Sequence, residues 1–260
     1  MSTALLFALV HCAKEDVPVT TEFQAKLNDS EKVKNAAGFF QLGSKFKPIQ
    51  YQLFDSSGVF SRNNIVARYR DQGAKTDFNI KFRFPYDPTM ITVLTQCFVD
   101  QKIEINRYSD HTQDIVELTF RQEIKKEDLG MSPDQTLSQN QIRYYFGNLQ
   151  NHMKDQITQL TAEHPEFSEI KAHLEQTVQK HFENVSKKIK LVAQTNVSTW
   201  KKTSSFQRDR WTVKPWKNYQ EVVVEVTHTT DPSMEISTRV DGDIKDQSFF
   251  HELRLSGLQI

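Results

Sequence analysis

The chain has 260 residues and 37% hydrophobic content, enough apolar material for a real core, which excludes wholesale disorder. Lys plus Arg number 33 and Asp plus Glu number 33, so no bulk field draws the protein onto nucleic acid or an acidic membrane, and any anion site must come from local sorting of charge. Two cysteines, Cys12 and Cys97, with no Cys-x-x-Cys pair exclude a thiol-metal or dithiol redox centre.

The chain starts Met1-Ser-Thr-Ala-Leu-Leu-Phe-Ala-Leu-Val-His-Cys12. Its apolar run of about ten residues is too short to span a bilayer but has the size of a signal-peptide core. Leu9-Val10-His11-Cys12 resembles a bacterial lipobox, although His11 stands where a small residue is usual and no Lys or Arg leads the run. Two readings stay open. In one, residues 1–16 are a signal and tether and Cys12 carries a membrane anchor at the cell envelope; in the other, the protein is cytoplasmic and the apolar start packs on the domain. Residues 17–260 are expected to form a single domain.

From Val17 to Leu27 the residues alternate, with Val19, Thr21, Phe23, Ala25 and Leu27 on one face and Glu22, Gln24 and Lys26 on the other, the pattern of a strand with one charged face. Asn28-Asp29-Ser30 then predicts a short helix ending before Gly43. Ile49–Asp55, Ile65–Arg70 and Phe78–Phe84 predict a meander, and Lys102–Tyr108 with Ile115–Ile124 a hairpin in which Val116, Leu118 and Phe120 alternate with Glu117, Thr119 and Arg121.

Between about residues 133 and 195 the period changes. Phe167, Ile170, Leu174, Val178, Phe182, Val185, Ile189 and Val192 recur every three or four residues, which predicts an amphipathic helix. Pro165 separates it from a weaker helical stretch carrying Ile142, Phe146, Leu149, Ile157 and Leu160, so a helical hairpin is expected to cover a sheet or close a barrel. Ser205–Lys214, Gln220–Thr230 and Met234–Val240 return to the strand pattern. So many strands with so few crossover helices predict an α+β fold around a closed or strongly curled, mainly antiparallel sheet.

Charge parity carries the functional signal. Residues two apart on a strand share a face, and Glu22/Gln24/Lys26, Arg68/Arg70, Lys81/Arg83, Arg208/Arg210/Lys214 and Glu221/Glu225 all have that spacing or its double. One such set is an ordinary solvated face. Arrayed around a barrel interior, however, several basic sets make a cavity of high potential that demands an anion rich in oxygen, and the forked donors of Arg match phosphate. Carboxylates in the same space fit as ligands for Mg²⁺ or Mn²⁺.

These residues resemble, in order and spacing, the CYTH superfamily of triphosphate tunnel metalloenzymes, which includes adenylyl cyclases, thiamine triphosphatases and inorganic triphosphatases. Glu22-x-Gln24-x-Lys26 stands where the family has Glu-x-Glu-x-Lys, and Tyr51-Gln52-Leu53-Phe54-Asp55 resembles its Tyr-Phe-Asp segment. Arg68-x-Arg70, the strand reaching Lys81, Arg208-x-Arg210 and the Glu221–Glu225 strand follow in the family's order.

The resemblance implies an eight-stranded antiparallel tunnel, with Lys26, Arg68, Arg70, Lys81, Arg83, Arg208 and Arg210 on a triphosphate or short polyphosphate. It also implies Glu22, Glu221 and Glu225 on Mg²⁺ or Mn²⁺, and catalysis of phosphate hydrolysis through Glu22 and Lys26. Two departures weigh the other way. Gln24 removes a charge from the expected metal site, and Glu221 and Glu225 sit about 13 Å apart along an ideal strand, too far to share an ion. The alternative is therefore a non-catalytic, anion-binding or structural protein of the cell envelope with the same fold.

Overall fold

The computed structural model describes residues 19–98, 100–110, 113–129, 137–162, 176–228 and 232–260. The N-terminal apolar run and Cys12 lie outside the described residues.

The strands are β1 (Val19–Leu27), β2 (Lys47–Asp55), β3 (Ile65–Asp71), β4 (Lys75–Pro85), β5 (Lys102–Tyr108), β6 (Ile115–Lys125), β7 (Lys201–Val213), β8 (Val222–Thr227) and β9 (Ser233–Asp241). They close into one barrel in the order β1-β5-β6-β4-β3-β2-β7-β8-β9, with β9 pairing back to β1. The expected eight strands are thus corrected to nine, because each β-like run of the sequence finds a place in the ring. An odd number of strands cannot alternate in direction all the way round, so at least one neighbouring pair must be parallel. That pair is β1–β5, in the register Val19↔Ile103 to Gln24↔Tyr108, while the other described pairings are antiparallel.

Among the described residues, five helices of two turns or more surround the ring: α1 (Ser30–Phe39), α2 (Pro88–Cys97), α3 (Gln139–Ala162), α4 (Gln176–Gln194) and α5 (Ser248–Leu255). Helix α1 starts where the sequence signals it, since the Asp29 carboxylate accepts from the backbone N–H groups of Glu31 and Lys32 at 2.9 and 3.0 Å. Helices α3 and α4 fall within the anticipated helical insertion.

The hydrophobic cores lie outside the barrel wall. Phe23, Ala25 and Leu27 of β1 pack with Val222, Val224, Met234 and Ile236 against Phe249, Phe250 and Leu253 of α5. On the opposite side Phe78, Ile80, Phe82 and Phe84 of β4 and Val116, Leu118 and Phe120 of β6 pack beneath Phe146, Leu149 and Met153 of α3 and Val185, Ile189 and Val192 of α4. Each of the larger side chains contributes about 1.5–3 kcal/mol by leaving water. The helices therefore cover the apolar parity of β1, β4, β6, β8 and β9 from without, and this commits the charged parity of these strands to the inside.

Candidate functional site

The inward parity encloses a tunnel-like cavity of about 180 Å³, far more than one water needs. Its lining carries eight cationic side chains, Lys26, Arg68, Arg70, Lys81, Arg83, Arg208, Arg210 and Arg239, against four carboxylates, Glu22, Glu117, Glu225 and Glu235. All seven of the basic residues singled out from the sequence converge there, together with Glu22 and Glu225.

Glu221 does not join them. It shares the parity of Glu225, but β8 begins at Val222 and β7 ends at Val213, so Glu221 and Lys214 face each other past the barrel rim in a 2.8 Å ion pair between half-exposed side chains. The structure therefore does not bring Glu221 to Glu22 and Glu225.

The wall formed by β3, β4 and β6 is basic and tightly paired. Lys81 and Arg83 of β4 both reach Glu117 of β6, Arg83 Nε at 3.0 Å from Oε2, and the direct facing of Arg83 and Glu117 in the sheet register sets this up. Burial pushes the Glu117 carboxyl up, but Lys81 and Arg83 more than offset it and hold the group down at about 2. One turn of the lining away, the fully buried Asp77 accepts from Arg70 at 2.8 Å, Arg121 at 2.9 Å, Gln72 at 2.9 Å and Asn79 at 2.6 Å, and these partners overcome burial to keep it below the usual carboxylate range. Arg68 donates Nε to Asn79 Oδ1 at 2.7 Å, and burial together with the neighbouring Arg70 lowers its pKa. Lys81 is likewise pulled down, by burial, although Glu117 opposes this. These cations are held close together at a cost that an anion among them would relieve.

The wall formed by β7, β8, β9 and β1 gathers the acids. Glu225 and Glu235 face each other across β8 and β9, and Glu235 faces Lys26 across β9 and β1. Arg208 Nη1 stands 2.9 Å from Glu225 but 3.6 Å from Glu235. Burial raises the Glu235 pKa, Arg208 opposes this incompletely, and Glu22 and Glu225 add to it. Arg239 Nη2 reaches Glu22 Oε1 at 3.1 Å and Arg239 Nε reaches Glu104 at 3.2 Å. Lys26 lies 4.7 Å over the Tyr108 ring, and Tyr51 lies beneath both Arg68 and Arg208 at 5.6 and 5.5 Å.

Glu117, Glu235 and Arg239 line the site without having been picked out by the sequence. Glu235-x-Ser237-x-Arg239 shows the same alternation as the residues that were, and Glu117 sits in the alternation already visible on β6. The partners that give them meaning belong to other strands.

A site for Mg²⁺ or Mn²⁺ needs several carboxylate oxygens brought together and not already committed to protein donors. Among the described residues no three Asp, Glu, His or Cys side chains come together as a metal cage. Glu22 has both oxygens engaged, Oε1 by Arg239 and Oε2 by Gln24, and Glu225 is engaged by Arg208. These carboxylates, as placed, do not fit a preformed divalent-metal centre.

No family model matches the chain, and no curated protein matches it. Among solved structures it is similar to a candidate adenylate cyclase from Bacillus halodurans, with 10% identity, a TM-score of 0.46, and coverage of 94% of this chain and 90% of that one. It is also similar to a candidate adenylyl cyclase from Hippeastrum with a dominant triphosphatase activity, with 11% identity, a TM-score of 0.44, and coverage of 91% and 87%. A Pyrococcus horikoshii protein gives 11% identity, a TM-score of 0.36, and coverage of 92% and 91%.

Proposed function

We propose that this chain is a divergent member of the CYTH superfamily and that it binds a triphosphate or short polyphosphate inside its barrel. The observation that carries this reading is the convergence of eight cationic side chains from five strands on one cavity that holds only four carboxylates. Such an excess, enclosed by protein, is stabilised by a compact polyanion far more than by scattered monovalent ions. Arg68, Arg70, Arg208 and Arg210 supply forked donors suited to phosphoryl oxygens, and Lys26 and Lys81 supply point charges on opposite walls.

Metal-assisted hydrolysis asks for carboxylates free to hold an ion, and Glu22 and Glu225 spend theirs on protein donors. The geometry therefore supports the binding reading best.

Calorimetric titration at fixed ionic strength with orthophosphate, pyrophosphate and tripolyphosphate tests it. Affinity should climb with chain length, and Arg68→Ala should weaken tripolyphosphate about tenfold or more. Equal, weak affinity for tripolyphosphate and sulfate would sink the proposal.

A further inference from the structure

Gln24 stands between two oxygen acceptors of the barrel lining, Glu22 and Asn106. Its side chain is buried, and its Nε2 donates to Glu22 Oε2 at 3.1 Å and to Asn106 Oδ1 at 2.8 Å. The direction of these bonds is fixed by chemistry, since an ionised carboxylate can only accept; Gln24 must present its N–H₂ to Glu22, and Asn106 must then present its oxygen. The second Glu22 oxygen receives the Arg239 guanidinium at 3.1 Å. Two acceptor oxygens that could coordinate a cation are thus bridged by one amide group, and the charge of Glu22 is balanced by an arginine. An ion against Glu22 would have to share both oxygens with these donors and would stand as a second positive charge beside the Arg239 guanidinium.

We infer that the barrel takes its polyanion without a divalent cation, the Gln24 amide and the Arg239 guanidinium replacing the metal at Glu22. This inference rests on the reading that the cavity binds polyphosphate. It also makes a claim about Gln24 independent of any phosphate: a carboxylate at position 24 would face Glu22 two residues away on the same strand face, lose the donor to Asn106, and create the paired oxygens that a cation needs.

Two measurements on the wild-type chain test this, with the Gln24→Glu variant as a third. Tripolyphosphate calorimetry in EDTA should give an affinity at least as tight as in buffer containing Mg²⁺, where the ion only sequesters the titrant. Loss of about tenfold or more in EDTA, restored by Mn²⁺, would overturn the inference. In the absence of phosphate, Mn²⁺ mixed with the wild-type protein should keep the electron paramagnetic resonance spectrum of the free ion, and a stoichiometric bound species there would also overturn it. Gln24→Glu, if its circular dichroism matches wild type, should bind Mn²⁺ about tenfold more tightly than wild type and bind tripolyphosphate more weakly in EDTA; unchanged behaviour in both would count against the inference. If tripolyphosphate binds in neither buffer, the functional reading fails, and the Mn²⁺ spectrum of the wild type alone decides the role of Gln24.

Discussion

The two walls of the barrel hold buried carboxylates in opposite states. On the β3–β4–β6 wall Glu117 is gripped by Lys81 and Arg83, and Asp77 by Arg70 and Arg121, and both are kept ionised well below their ordinary range. On the β8–β9–β1 wall Glu235 sits 3.6 Å from Arg208, beside Glu22 and Glu225, and is pushed up. All are acids inside one sheet; what differs is whether a cation stands at hydrogen-bond distance or another acid stands nearby. The basic wall is a finished structural network, whereas the acidic wall keeps a carboxylate whose charge is poorly supported.

The sharpest way to break this comparison is to remove the grip on the basic wall. Glu117→Gln takes from Lys81 and Arg83 the carboxylate they share and leaves Lys81 only Glu104 at 4.0 Å, and urea unfolding should show a loss of about 3 kcal/mol. In the wild type the same group predicts a pH dependence. Its folded pKa of about 2 lies below the ordinary value of 4.5, so its stabilisation is complete above about pH 4.5 and is lost as the pH falls toward 2. Glu117→Gln should flatten that limb, and an unchanged limb would place the acid sensitivity elsewhere.

Next in size is ligand affinity. Arg68→Ala and Arg208→Ala take one arginine from each wall, and each should weaken tripolyphosphate by about 10- to 100-fold as charged hydrogen bonds are lost. A large effect from one wall alone would show that the polyanion lies against that wall rather than between the two.

A smaller effect is expected at Glu235. Because its folded pKa is raised, its ionised form costs stability, and that cost grows as the pH rises through the folded pKa. Glu235→Gln should raise stability at pH 8, tighten tripolyphosphate several-fold there, and make the affinity less dependent on pH than in the wild type. Smallest of all, Glu221→Gln should alter stability by less than about 0.5 kcal/mol and leave affinity unchanged, since its pair with Lys214 is exposed beyond the rim.

Strand parity made the barrel and most of its lining legible before any coordinates. Glu22, Gln24 and Lys26 against Phe23, Ala25 and Leu27 is a pattern that only one inside and one outside can satisfy, and helices on the apolar side settle which is which. All nine strands have a local pattern in the sequence, but the parallel β1–β5 pair follows from closing an odd number of them into a ring, which no local pattern encodes. Glu117 was visible on the polar face of its strand but not as a site residue, because its partners lie on β4 and cross-strand register is invisible within a single run. Glu235 and Arg239 were hidden for another reason: opposite charges on one strand look like an ordinary solvated face until β1 and β8 are placed beside them. Helix α2 carries clear signals in Asp87, which caps it by accepting from Thr89 at 2.7 Å, and in Pro88 in its first turn, but ten residues between two strands give too short a period to stand out.

Solving the protein with tripolyphosphate bound tests the convergence of the two walls most directly. Phosphorus density enclosed by the barrel, within hydrogen-bond distance of Arg68, Lys81 and Arg208, is the predicted result. Density confined to the outer surface, with the lining pairs of Glu22 and Glu225 undisturbed and the cavity filled by water alone, would contradict it.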